Sequence, residues 1–282
     1  MKYQNKPYTF VELVDLKVTD LDRSLKFYEE VVGFKVLEKK DNKILLTADG
    51  KIALLSIEQP ENVVLKQENT TGLYHFALLL PSRADLGAVL QHFIDINMRI
   101  GAGDHLVSEA LYLNDPDGNG IEIYTDRPES EWTWNGEYVE MATLQIDAQS
   151  ILKEGANTDW AGLPDGTVMG HIHLQVADLA KTEKFYHLLG FGVATPNYPG
   201  ALFMATGKYH HHIGLNTWAG VGASPTAENA TGLEAFTLVY PSNEVLNDTL
   251  ENLKTNNVSV VEESGMYITK DPSQNKIKLI VK

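Results

Sequence analysis

From Leu13 to Phe34 the chain reads LVDLKVTDLDRSLKFYEEVVGF. A largely alternating apolar–polar stretch runs into an Asp-Leu turn. A stretch with apolar residues every three or four positions follows around Lys26-Phe27-Tyr28, and Gly33-Phe34 ends it. Period two marks a strand with one buried face, and three- and four-residue spacing marks a helix with one buried face. The same order recurs from His171 to Phe191 as HIHLQVADLAKTEKFYHLLGF, and aligning Asp20 with Asp178 sets Leu13 opposite His171.

A second pair repeats in the same way. Gly72 to Ser82 reads GLYHFALLLPS and Gly232 to Ser242 reads GLEAFTLVYPS, so His75 lies opposite Ala235. Helical spacing follows each, over Arg83 to Met98 and Asn243 to Asn256. Closing segments then begin at Ala110 (ALYLNDPDGNGIEIY) and Gly265 (GMYITKDPSQNKIKLIV). Matching Asp115-Pro116 to Asp271-Pro272 places Glu122 opposite Lys278. The pattern predicts four segments, each a strand, a helix and about three further strands, starting near Val11, Leu73, Met169 and Leu233. Thr125 to Val168, with three of the four tryptophans and the turn formers Pro164, Asp165 and Gly166, reads as the connection between halves. The expected division is modules one and two over 8–126, a crossover linker over 127–168, and modules three and four over 169–282.

Composition narrows the chemistry. With no cysteine, disulfides, thiolate ligands and a cysteine nucleophile are excluded, and His, Asp and Glu are the strong metal-binding side chains left. The 38 acidic and 23 basic residues make a net charge of −15, which repels phosphate backbones and argues against nucleic-acid or anionic-membrane partners. No run of 18 apolar residues exists to span a bilayer, and Met1 to Phe10 lacks the basic start and apolar run of a secretory signal, so a cytoplasmic location is expected.

Four βαβββ segments in one chain resemble the vicinal oxygen chelate superfamily of glyoxalases, bleomycin-resistance proteins and extradiol dioxygenases. The resemblance implies an α+β fold in which modules pair into two curved mixed-sheet half-barrels, with a metal in the concavity. A more specific likeness lies in GDHLVSEALYLNDPDGNGIE from Gly103. Its Gly103, His105, Leu111, Tyr112, Asp115, Pro116, Gly118 and Glu122 match in order and spacing the signature of extradiol ring-cleavage dioxygenases.

On pattern alone Glu122 reads as a solvent-facing strand residue, and His75, within the apolar strand Leu73 to Leu80, as a core histidine satisfied by a hydrogen bond. The surrounding signature reverses the reading of Glu122. By resemblance the metal ligands are His75, Glu122 and His171, with His173 beside or facing the ligand. Two histidines and a carboxylate on one face of an ion leave about three positions open, the arrangement of non-haem Fe(II) oxygenases. Mn(II) suits the same donors. These ligands belong to modules two and three, whereas modules one and four offer Leu13, Ala235 and Lys278, so the site is expected between modules two and three. The commonest extradiol layout takes all its ligands from the C-terminal half, and this chain departs from it.

The run His210-His211-His212 is expected at the last strand of segment three, where alternation would send neighbours to opposite faces. Resemblance makes one of them the catalytic acid/base, with His211 the closest match and His210, His212 and His173 as competitors. It assigns His105 and Tyr112 to hydrogen bonds with substrate or oxygen. His92 and His187, on helices, are read as structural, and Tyr74, Tyr209 and Trp218 as aromatic walls. The implied function is Fe(II)-dependent insertion of both atoms of O₂ into a catechol-type diol, giving a muconic semialdehyde. The partners are then a small aromatic diol and O₂, and a homo-oligomer is compatible with the sequence. A glyoxalase-like lyase or isomerase, which usually presents a fourth protein ligand, and a drug-binding resistance protein, typically a short dimer without a metal triad, are the rival readings. The preferred diol has no readable motif.

Overall fold

Each repeated segment of the computed structural model, which describes residues 1–282, opens with one strand and one helix and closes with three strands. Segment one comprises β1 (Phe10–Lys17), α1 (Leu21–Phe27), β2 (Lys35–Lys40), β3 (Lys43–Thr47) and β4 (Ala53–Glu58). Segment two comprises β5 (Gly72–Leu79), α2 (Arg83–Asp95), β6 (Gly101–Asp104), β7 (Ser108–Asn114) and β8 (Gly120–Asp126). The connection holds a short hairpin, β9 (Trp134–Asn135) and β10 (Tyr138–Val139), and α3 (Ala148–Gly155). Segment three comprises β11 (Val168–Gln175), α4 (Leu179–Leu188), β12 (Gly192–Tyr198), β13 (Ala201–Ala205) and β14 (Ile213–Asn216). Segment four comprises β15 (Gly232–Tyr240), α5 (Asn243–Thr255), β16 (Val261–Glu263), β17 (Met266–Lys270) and β18 (Lys276–Val281).

The shared motifs have local physical causes. Asp20 and Asp178 cap α1 and α4 by accepting the backbone N–H of Arg23 and Lys181, and Ser82 and Ser242 cap α2 and α5 through Asp85 and Val245. Each such cap is worth about 1 kcal/mol of helix stability. Past a π-helical turn over Tyr28–Val32, Gly33 turns the chain at φ +89°, and a Cβ there would lie 2.6 Å from the Trp160 ring. Only glycine meets both demands.

Eight strands make each of two mixed sheets. One runs β16-β17-β18-β15-β1-β4-β3-β2 and the other β12-β13-β14-β11-β5-β8-β7-β6. Segment one therefore pairs with segment four, and segment two with segment three, through the antiparallel contacts β1/β15 and β5/β11. This is the α+β fold of βαβββ modules in two mixed sheets that the family resemblance implies. In the second sheet the strand parity sorts the side chains. Phe76 and Leu78 of β5, Ile121 and Ile123 of β8, and Ile172 and Leu174 of β11 enter a 46-residue buried apolar cluster. The intervening residues, among them His75, Glu122, His171 and His173, share the other face.

The connection is packed structure as well as a crossover. Helix α3 crosses α2 closely at a pair of glycines, since a Cβ on Gly87 would lie 2.4 Å from Ile151 O. No helix is long and apolar enough to cross a membrane.

Candidate active site

Three neighbouring strands carry the central group. The register β5/β8 pairs His75 with Gly120 and Ala77 with Glu122, and β5/β11 pairs His75 with His173 and Ala77 with His171. On this lattice His75 Nε2 lies 3.0 Å from Glu122 Oε2, His171 Nε2 3.3 Å from the same oxygen, and the two Nε2 atoms 3.3 Å from each other. All three side chains are buried, with residue exposures of 6, 3 and 1 % for His75, Glu122 and His171.

Left to hydrogen bonding, this arrangement is unsatisfactory. Two imidazoles converge on one carboxylate oxygen and on each other. A divalent ion resolves the conflict. Octahedral binding at about 2.1 Å from each donor holds neighbouring donors about 3 Å apart. The donor set is charge-appropriate too. Burial would push the Glu122 carboxyl up, but His171 and His75 hold it well below the usual range, while burial takes His171 down to about 4 against the pull of Glu122. Carboxylate and neutral imidazole are the ligating forms. His75, Glu122 and His171 thus form a triad suited to a divalent metal.

The triad opens onto a cavity of about 210 Å³, to which His75 and Glu122 contribute. His173 shares their face. Its ring fits only because residue 214 is glycine, since a Cβ there would lie 2.8 Å from the imidazole, and its buried Nε2 makes no hydrogen bond. Tyr74 and Trp218 stand beside His173, with ring centroids 5.1 and 5.5 Å away, and Phe203 completes an aromatic wall. Tyr209, expected as another wall, is instead buried behind the site. It stacks on Tyr3 at 4.9 Å, and its hydroxyl lies 2.9 Å from that of Tyr124, because apolar burial claims its ring.

His105 and Tyr112 meet at the cavity edge, with His105 Nε2 2.7 Å from Tyr112 Oη. The Ala142 carbonyl, 2.8 Å from His105 Nδ1, can only accept, so a neutral His105 keeps its proton on Nδ1 and receives the Tyr112 hydroxyl proton at Nε2.

The three adjacent histidines do not lie in a strand. They occupy the turn before β14, and turn geometry rather than alternation separates them. His210 reaches Asp126 Oδ1 at 2.8 Å, His212 donates from Nε2 to the Tyr3 carbonyl at 3.0 Å, and His211 alone lines the cavity, 4.1 Å from the His171 ring. His92 stacks on Trp160, and His187 Nδ1 lies 2.8 Å from the Phe191 carbonyl, both away from the cavity.

Sequence reading misses four lining residues, Met141, Thr143, Tyr198 and Phe203. Met141 and Thr143 come from the connection, where no periodicity marks them. Thr143 Oγ1 meets Tyr198 Oη at 2.6 Å and so ties that segment to β12.

Comparison with known proteins agrees with this geometry. The family model described as Glyoxalase/Bleomycin resistance protein/Dioxygenase superfamily matches residues 11–123 and 168–279. Catechol-2,3-dioxygenase of Bacillus subtilis (strain 168) is 47% identical over 270 residues, covering 94% of this chain and 94% of that protein. Glyoxalase I from Zea mays superposes with TM-score 0.60 at 16% identity, covering 97% of this chain and 92% of the other. The cppA protein of Streptococcus pneumoniae TIGR4 superposes with TM-score 0.60 at 10% identity, covering 98% and 99%. At such identities the superpositions establish shared fold alone, but the family model and the Bacillus relative go further: the chain belongs to the Glyoxalase/Bleomycin resistance protein/Dioxygenase superfamily, as a nearly full-length homologue of a catechol-2,3-dioxygenase.

Proposed function

We propose that the chain is an extradiol ring-cleaving dioxygenase that uses Fe(II), held by His75, Glu122 and His171, to insert both atoms of O₂ into a catechol-type diol. The observation that carries this reading is the convergence of three buried donors, 3.0–3.3 Å apart, on a small cavity with aromatic walls. The relative at 47% identity, named a catechol-2,3-dioxygenase, supports it.

When bound, Fe(II) supplies open positions where diol and O₂ meet and the redox chemistry that joins them; Mn(II) fits the same donors. The protein's own groups position the substrate and handle its protons. Tyr74, Phe203 and Trp218 sandwich a flat ring and exclude water, which strengthens every polar contact inside. His211, on the cavity wall beside His171, takes a hydroxyl proton from the diol and returns it later. Tyr112 and His105 form a coupled pair at the cavity edge, with Tyr112 as the donor. The Tyr112 proton, held by His105 Nε2 in the resting site, can turn toward charge developing on a substrate oxygen. Cleavage beside the diol gives a muconic semialdehyde.

Oxygen uptake and semialdehyde formation with catechol, after anaerobic loading with Fe(II), test the proposal. A chain that binds the metal but consumes no oxygen with any catechol tried is not this enzyme. The rival lyase reading predicts turnover of its substrate without O₂, and usually a fourth protein ligand where this donor group has three.

A further inference from the structure

We infer that Asp126 and His210 are positioning residues that dictate which nitrogen of His211 faces the substrate. The inference rests on the reading of His211 as the proton-handling group and adds what makes it a base.

His210 is fully buried and bridges two groups. Its Nε2 lies 2.8 Å from Asp126 Oδ1, and its Nδ1 lies 2.9 Å from His211 Nδ1. The ring is clamped between Tyr209, 4.0 Å away between centroids, and Trp132, 5.3 Å away, so it cannot swing to another partner. With both imidazoles neutral, proton placement follows by elimination. A carboxylate only accepts, so His210 carries its proton on Nε2. A neutral imidazole has one N–H, which leaves His210 Nδ1 as an acceptor. Two lone pairs cannot face each other at 2.9 Å, so His211 donates from Nδ1. With its single proton there, His211 has an unprotonated Nε2.

Because Nδ1 is spent on His210 while the His211 ring lines the cavity, Nε2 is the nitrogen left for a diol hydroxyl. Asp126, at the end of β8, thus sets the identity of a base through an intervening ring, as a buried carboxylate orders the histidine of a hydrolase triad with one fewer link. The alternative role for the Asp126–His210 contact is simply to satisfy a buried histidine. That role makes no demand on the His211 tautomer.

Nitrogen NMR of histidine-labelled chain loaded with diamagnetic Zn(II) reads the tautomers without turnover. The expected result is His211 protonated at Nδ1, with a shift of its proton to Nε2 in Asp126→Leu, where His210 is released to protonate Nδ1. In the Fe(II)-loaded enzyme the same variant should keep its metal and its KM for the diol while kcat falls about 10- to 100-fold. Asp126→Asn keeps an acceptor oxygen for His210, so it should retain the wild-type tautomer with a smaller kcat loss; it also serves as the test if the leucine variant fails to fold. Wild-type His211 protonated at Nε2, or an Asp126→Leu chain with unchanged tautomer, overturns the inference. Absence of oxygen uptake in the wild type would instead overturn the proposed function, leaving the tautomer result to stand separately.

Discussion

Lys278 donates to Asp15 across the first sheet at 2.8 Å, from the position that Glu122 holds in the second. The registers make the equivalence direct: Lys278 pairs with Thr237 as Glu122 pairs with Ala77, and Asp15 pairs with Ala235 as His173 pairs with His75. Lys43 also reaches Asp15, at 2.9 Å. Burial alone would raise the Asp15 carboxyl, yet the two ammonium groups hold it below its ordinary value. Charge in this half is already balanced by side chains, and a divalent ion would face two lysines. We therefore expect one iron per chain by elemental analysis, and in iron-soaked crystals one anomalous peak beside Glu122 and none beside Lys278.

Glu122→Gln should remove metal binding while the chain still folds, because the lost group is a ligand on the concave face rather than part of the apolar core. His75→Ala should do the same. Turnover in both should drop by more than about 100-fold, beyond the usual effect of a group one shell further out. Wild-type iron content in either variant would show that the triad is misassigned.

His211→Phe keeps all three donors and should keep the iron and diol binding. Without a proton acceptor its kcat should fall by roughly 10²- to 10⁴-fold. Near-normal turnover would transfer the role to His173, whose imidazole also lines the cavity.

Tyr28 ties segment one to segment two. Its hydroxyl donates at 2.8 Å to Asp115 Oδ2, in the Asp-Pro turn that leads into β8 and Glu122. Both groups are buried, so Tyr28→Phe should cost about 1–3 kcal/mol in denaturant unfolding. The equivalent bond in the other half, Tyr186 to Asp271, is 3.5 Å long, and Tyr186→Phe should cost less. Equal losses would rule out bond length as the cause.

Burial raises the Asp271 carboxyl to about 6 from an ordinary 3.8, despite hydrogen bonds from Asn275 and Ser273 that favour the charged form. A group whose pKa is raised in the folded chain contributes stability that is complete below its unfolded value and lost as pH rises through the folded one. The stability difference between wild type and Asp271→Asn should therefore move in favour of the wild type as pH is lowered from about 6 to about 4. A pH-independent difference across that window would refute the assignment.

Much of the fold is legible in the chain because its causes are local. Period-two and helical spacing follow from backbone geometry, and Asp20, Asp178, Ser82 and Ser242 cap the helices within a few residues of themselves. The repeat reveals four modules, and the spacing from Gly103 to Glu122 singles out residues of three consecutive paired strands, β6 to β8, and the turns between them.

Tertiary structure decided what spacing cannot express. His210, His211 and His212 take separate directions because they lie in a turn whose course depends on Tyr3, Asp126 and the cavity, not on strand alternation. The same holds for Tyr209, which the core absorbs while Trp218 remains at the cavity, and for Met141 and Thr143, which the connection carries to the site. Asp126 and His210 are 84 positions apart, and the β8/β5, β5/β11 and β11/β14 pairings bring the turn before β14 to the end of β8. Local propensity sets which residues share a strand face, but the partner across a cavity is set by packing between distant strands.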